Sequence, residues 1–215
     1  VIFPSLESEL ILLIYISSIL GITWFINSFN FMDGIDGITS IQVIYTICSL
    51  ILLETFLKSS PTQYYLVILG SIISFLIFNW SPAKIFLGDS GSIPLGFLMV
   101  HFLVEFSLKG YWVSALILPM YYLLDTTLTL LKRGLKRKKI WQSHNEHYYQ
   151  LAVKSGKSHS AVCLYIIIVS TGLFLLSFLS VLYKNNLLFL LLSIFWCYLF
   201  IIFFSRFKNA KIQNE

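Results

Sequence analysis

The sequence predicts an all-α polytopic membrane protein with about seven transmembrane helices, its N-terminus outside and its C-terminus inside. Three observations carry this reading. Hydrophobic residues fill 57% of the 215 positions and charged residues only 12%, with a mean hydropathy of +0.82, far more apolar than a soluble domain. Apolar runs near the roughly 18–20 residues that cross a bilayer as helix recur along the whole length, so residues 1–215 read as a single membrane domain rather than a soluble body on one anchor. Basic residues, finally, gather on alternate loops.

The runs place spans at about 9–28, 38–57, 62–79, 92–108, 111–131, 160–183 and 187–205. Pro61 precedes the third and Ser81-Pro82 follows it; Lys109-Gly110 divides the fourth from the fifth, and Lys184-Asn185-Asn186 the last two. Alternating spans put the loops at 29–37, 80–91 and 132–159 on one face with the C-terminal tail. That face holds 12 of the 15 Lys and Arg residues: Lys84, the cluster of eight from Lys132 to Lys157, and Arg206, Lys208 and Lys211. Lys58, Lys109 and Lys184 fall on the other. A Lys/Arg excess marks the cytoplasmic side. It also accounts for the net charge of +5, so no nucleic-acid partner is expected. Cys48, Cys163 and Cys197 are odd in number, far apart and inside apolar runs, which predicts small packing residues rather than disulfides or a zinc site.

The topology drawn from lysines brings Asp33, Asp36, Asp89, His144 and His147 to the cytoplasmic face. In NSFNFMDGIDGIT (27–39), glycines permit tight turns and close approach of a ligand, and carboxylates supply hard oxygen ligands or general-base groups. A polar turn capped by Asp is the ordinary alternative. Asn27, Asn30, Asp33 and Asp36 recur every three residues, near enough to helical spacing to share one face, and carboxylates at membrane depth are costly without a function.

FNWSPAKIFLGDSGS (78–92) sets Asp89 between Gly88 and a Ser-Gly-Ser that opens a helix, which suits a magnesium ion holding phosphate oxygens beside free backbone N–H groups. A plain helix cap explains only one residue of that string. In KRGLKRKKIWQSHNEHYYQ (132–150), the basic run serves as a positive-inside anchor that also attracts anionic membrane lipid. His144 and His147, three apart on an expected short helix with Glu146 on another face, fit phosphate contact better than zinc. Asp125, about two turns below the surface, needs a partner, with Arg133 or Lys132 the candidates. His101 and Glu105, at i and i+4, are expected to satisfy each other near the outer side.

In this order and on one face, NFMDGIDG, FNWSPAKIFLGDSGS, LPMYYLLDTTLTLLKR and HNEHYYQ resemble the polyprenyl-phosphate N-acetylhexosamine-1-phosphate transferases, the glycosyltransferase 4 family. That family includes the enzymes initiating O-antigen and teichoic-acid synthesis and the phospho-MurNAc-pentapeptide translocase. The resemblance covers nearly all of the chain, and the His-x-x-His-x-Tyr-Gln form is more similar to the O-antigen-initiating branch. It implies transfer of a sugar 1-phosphate from a UDP-N-acetylated sugar to undecaprenyl phosphate, releasing UMP, with Mg2+ or Mn2+ in its place, in the bacterial inner membrane with the site facing the cytoplasm. It further implies that Asp89 is the metal ligand, that Asn30, Asp33, Asp36 and Asn79 line the nucleotide-sugar pocket, and that His144 and His147 contact the nucleotide phosphates.

The family also carries adjacent aspartates at the cytoplasmic end of an earlier helix. This chain has no Asp-Asp and begins at Val1, so it is expected to be the C-terminal portion of a larger fold, lacking the first helices. Two other readings stay open. One is a non-catalytic remnant, or a subunit completed by a homodimer mate or a partner supplying the missing helices. The other is a cation-coupled transporter binding an ion at Asp33, Asp36 and Asp125, which predicts mid-membrane carboxylates in broken helices.

Overall fold

A computed structural model describes residues 4–60, 63–139, 142, 144–184 and 186–212, the side chains of 4–7 and 208–212 excepted. Val1, Pro61, Asn185 and the Lys208 and Lys211 side chains, all used above, lie outside the described residues. Regular structure among the described residues is helical: α1 (Pro4–Phe31), α2 (Ile38–Phe56), α3 (Gln63–Asn79), α4 (Asp89–Phe106), α5 (Trp112–Ile117), α6 (Met120–Leu135), α7 (Tyr148–Lys154), α8 (His159–Tyr183) and α9 (Asn186–Ile212). Among the described residues, five stretches are long and apolar enough to cross a membrane: Ser8–Phe31, Ile38–Phe56, Asp89–Ile117, His159–Tyr183 and Asn186–Phe207. The chain is a polytopic membrane protein.

Two of the seven expected spans differ from that pattern. The third, α3, has 17 residues, about 26 Å at the α-helical rise. The fifth is broken, because Pro119 has no N–H to extend the hydrogen-bond ladder of α5, and a new helix starts at Met120. That break frees α6 to be amphipathic, burying Asp125, Thr126, Thr129 and Arg133 on one side while Leu131 faces outward.

The stretch Asp89–Ile117 does not run straight. Gly110 takes a φ of +96°, the left-handed region that glycine enters without steric cost, and the chain turns back there. The contacts record the reversal. Asp89 and Ser92 lie beside Asn30 at the end of α1, Ser107 and Trp112 share a hollow with Ser18, and Trp24 donates to Thr127 of α6 at 3.3 Å. α1 and α4 pack closely because Gly96 has no side chain: a β-carbon there would sit 3.1 Å from that of Phe29.

α8 lies along α2, joined by Ser170 to Gln42 at 3.4 Å and Tyr45 to Thr171 at 2.7 Å, and Tyr122 of α6 donates to the Ile38 carbonyl at 3.1 Å. The core between these helices includes Met32, Ile38, Ile47, Leu50, Tyr122, Tyr149 and Ile166. At the opposite end, Lys109 reaches the fully buried Glu54 at 2.8 Å, with the Tyr65 hydroxyl donating to the same oxygen at 3.3 Å. A buried carboxylate requires such pairing. The expected His101–Glu105 pair does not form: among the described residues no ion pair joins them, and His101 tilts against the Phe102 ring instead. All three cysteines are free.

Candidate functional site

α1 ends at Phe31, so Asp33 and Asp36 sit in the turn between α1 and α2 rather than on a helical face with Asn27, which is exposed. The two glycines of the turn have different reasons to be there. Gly37 adopts φ +81° as the residue before α2, a conformation that a side chain would strain. At Gly34 a β-carbon would collide with the Tyr149 hydroxyl and lie 2.6 Å from Gln150 Nε2, so the turn is pressed against α7.

Asp36 is held from two sides, the α3–α4 connection and α8. Its Oδ2 accepts the Ala83 N–H at 3.2 Å and lies 3.1 Å from Nδ1 of His159, the first residue of α8, and its carbonyl accepts from Cys163 Sγ at 3.2 Å. Burial pushes its carboxyl up, but the Ala83 N–H, His159 and Ser81 outweigh that and keep it below the usual range. Asn79, the last residue of α3, accepts from the Gly37 N–H at 3.0 Å and the Ser40 hydroxyl at 3.3 Å and donates to the Ile85 carbonyl at 2.9 Å. It fastens the turn to the α3–α4 connection while bordering the cavity.

Asp89 is the first residue of α4, three positions before the helix start expected from hydropathy, and its Oδ1 accepts from Asn30 Nδ2 at 2.9 Å. The same amide donates to Ser92 at 2.7 Å. Across the hollow, burial raises the Asp33 carboxyl and the Asp89 charge raises it further, against the Thr39 hydroxyl. An Asp33 carboxyl whose ionisation is disfavoured by burial and by the Asp89 charge, beside a helix N-terminus, fits a divalent cation, which would relieve the repulsion. Among the described residues no three His, Cys, Asp or Glu side chains converge on one point. Magnesium keeps waters and ligand phosphates in its shell, so one or two protein carboxylates suffice for it.

The loop before α7 is organised by Asp125, not by its neighbouring cations. Oδ1 accepts from Thr129 at 3.2 Å and the Tyr148 N–H at 3.1 Å and lies 3.1 Å from His147 Nδ1; Oδ2 accepts from the Tyr121 hydroxyl at 3.0 Å and the Tyr149 N–H at 3.3 Å. The expected partner Arg133 instead binds Glu146 at 2.9 Å and the Lys139 carbonyl at 2.8 Å, because α6 turns its guanidinium toward the returning loop. With both oxygens engaged, Asp125 has none left for a transported ion.

His144 and His147 are not on a short helix. They precede α7, whose first residue is Tyr148; the His147 N–H donates to Gln150 at 3.2 Å, and the two imidazoles stack at 5.0 Å. His147 is buried, and with Nδ1 on Asp125 its Nε2 is the ring nitrogen left for a ligand. Burial, the adjacent His147 and Arg133 depress His144 to about 4.

Two hollows adjoin here. One of about 460 Å³ is bordered by Asn30, Asp33, Asp89, His144 and His147, and one of about 330 Å³ by Asn30, Asp33, Asp36, Asn79 and Asp89. All seven residues singled out in the sequence border one or both. His159 and Phe86 in the smaller hollow, and Gln142, Asn145 and Gln150 in the larger, were not foreseen. His159 had a faint signal, a Ser-His pair opening an apolar run after Gly156-Lys157.

Comparison with known proteins places this geometry in context. Residues 1–107 match the model of the family described as Glycosyl transferase family 4. A probable undecaprenyl-phosphate N-acetylglucosaminyl 1-phosphate transferase from Bacillus subtilis (strain 168) is 28% identical over 190 residues, 86% of this chain and 49% of the relative. A phospho-N-acetylmuramoyl-pentapeptide-transferase from Streptococcus uberis is 30% identical over 162 residues, 68% of this chain and 46% of the relative. The chain spans about half the length of the curated relatives it matches.

Proposed function

This chain belongs to glycosyl transferase family 4, and from that premise we propose that it carries the site at which a sugar 1-phosphate passes from a UDP-N-acetylated sugar to undecaprenyl phosphate, releasing UMP. The observation that carries the reading is the convergence of Asp33, Asp36, Asp89, His144 and His147 around adjoining hollows at the ends of apolar helices. A lipid phosphate and a nucleotide can meet only where a membrane-embedded helix ends in a polar pocket. In a bacterial inner membrane the Lys/Arg excess turns that end to the cytoplasm, where UDP-sugars are found, with the N-terminus outside.

In this reaction an oxygen of the lipid phosphate forms a bond to the β-phosphorus of the UDP-sugar. The bond between that phosphorus and the bridging oxygen breaks, and UMP leaves with the electron pair. Bound magnesium would supply charge neutralisation for the phosphate oxygens. Asp89 and, across the hollow, Asp33 would hold it, with Asn30 fixing the Asp89 rotamer through its 2.9 Å hydrogen bond. His147, oriented by Asp125, would present Nε2 to the larger hollow, where the imidazolium form of the ring donates to a phosphate oxygen. Phe86 offers the smaller hollow an exposed aromatic face beside Asp36, a pairing that suits a planar base.

The test uses the full-length protein in membranes with undecaprenyl phosphate and, separately, the UDP forms of GlcNAc, GalNAc, QuiNAc and FucNAc. The expected result is UMP release from at least one donor, lost on chelation of divalent metal and lost in Asp89→Asn with the protein still in the membrane. Normal turnover by Asp89→Asn would remove that residue from the metal role. No release from any donor would favour the non-catalytic reading.

A further inference from the structure

Away from the catalytic hollows, another cavity of about 320 Å³ opens between the end of α6, α7 and the end of α9, and it shares no bordering residue with those two. Lys132, Lys136, Lys138 and Lys154 line it, against a single carboxylate, Glu146. That carboxylate is already shared between Lys138 at 2.7 Å and Arg133 at 2.9 Å. Lys132 is held 5.6 Å above the Tyr148 ring, and neither Lys136 nor Lys154 has an acidic partner among the described residues. The hollow therefore keeps an uncompensated positive charge that an anion would satisfy.

Its position identifies the kind of anion. Phe207 borders the cavity and lies between Arg206 and Lys208, just past the apolar run 187–205, so the ammonium groups stand where a membrane span gives way to water. Leu131 and Leu135, each one residue before a cavity lysine on α6, are 59% and 87% exposed, a wasteful surface in water but a suitable one for acyl chains. Orienting the chain in a membrane requires basic residues near the helix ends but no concavity. Here residues from three separated segments, 129–138, 146–155 and 207, enclose one hollow. We propose that this cavity binds the phosphate headgroup of an anionic phospholipid, at a site separate from the catalytic hollows.

The experiment is native mass spectrometry of the full-length protein released from nanodiscs containing equal phosphatidylglycerol and phosphatidylcholine. Wild type should retain phosphatidylglycerol selectively, and Lys136→Gln with Lys154→Gln should lower that retention about tenfold or more. Each single substitution serves as the second variant should the pair not fold. Lys84→Gln with Arg137→Gln, on the same face but outside the cavity, should retain lipid as wild type does. Equal loss in that control would reduce the effect to general surface charge and overturn the site. Equal retention of both lipids by wild type, or displacement of the lipid by inorganic phosphate at matched concentration, would overturn the lipid assignment.

Discussion

Asp125 Oδ1 and His147 Nδ1 lie 3.1 Å apart, both side chains almost wholly removed from solvent, joining α6 to the loop that enters α7. The same carboxylate accepts the Tyr148 and Tyr149 N–H groups, two of the donors that a helix start leaves unsatisfied. One side chain thus caps α7 and orients the imidazole that borders the larger hollow. Asp125→Ala should cost about 3–5 kcal/mol, since it strands several buried donors, and should abolish transfer in the full-length protein. Thermal unfolding and UMP release together check this; an unchanged melting temperature would show that α7 does not depend on Asp125.

Asp36 and His159 form a second, partly exposed link, between the α1–α2 turn and α8. Removing the imidazole by His159→Ala should free the Asp36 carboxylate to move and lower kcat/KM for the nucleotide sugar by roughly 10–100-fold, the usual effect of losing an orienting partner. His159→Asn, which keeps a donor of similar reach, should recover part of the loss. Wild-type kinetics in His159→Ala would show that the Ala83 N–H alone fixes Asp36.

His144 gives the site a direction of pH response. Its folded value of about 4 lies below the ordinary 6.5, so the unfolded chain takes up a proton before the folded one does. Its contribution to stability is therefore intact above pH 6.5 and declines as pH falls from there toward 4. Melting temperatures measured across that window should fall less steeply for His144→Asn than for wild type. Parallel slopes would contradict the depressed value.

Gly34→Ala tests the close approach of the turn to α7. The added methyl would meet Tyr149 and Gln150, and overpacking of this kind costs about 1–3 kcal/mol. A lower melting temperature with reduced transfer is expected, whereas Gly70→Ala, with nothing near its β position, should leave stability the same or slightly improved.

Much of this site was legible in the primary structure because its signals are local. Hydropathy averaged over a window finds a span without knowing its neighbours, and lysine counts find the shared face; Asp33, Asp36 and Asp89 announce themselves by glycines and small hydroxyl residues at their side. The break at Pro119 was blurred by the same averaging, since α5 and α6 together read as one apolar run.

What the sequence by itself determined is the class of molecule, five of the seven spans expected of it, and the end at which its chemistry-bearing residues gather, each a property of short stretches. Only the tertiary structure decided the partners. Asp125 took His147 and two backbone N–H groups rather than the cations eight and seven positions further along α6, and Asp36 took a histidine 123 residues away. The physical reason is that a buried carboxylate must be satisfied by whichever donors packing brings within about 3 Å, and that depends on where separate helices come to rest.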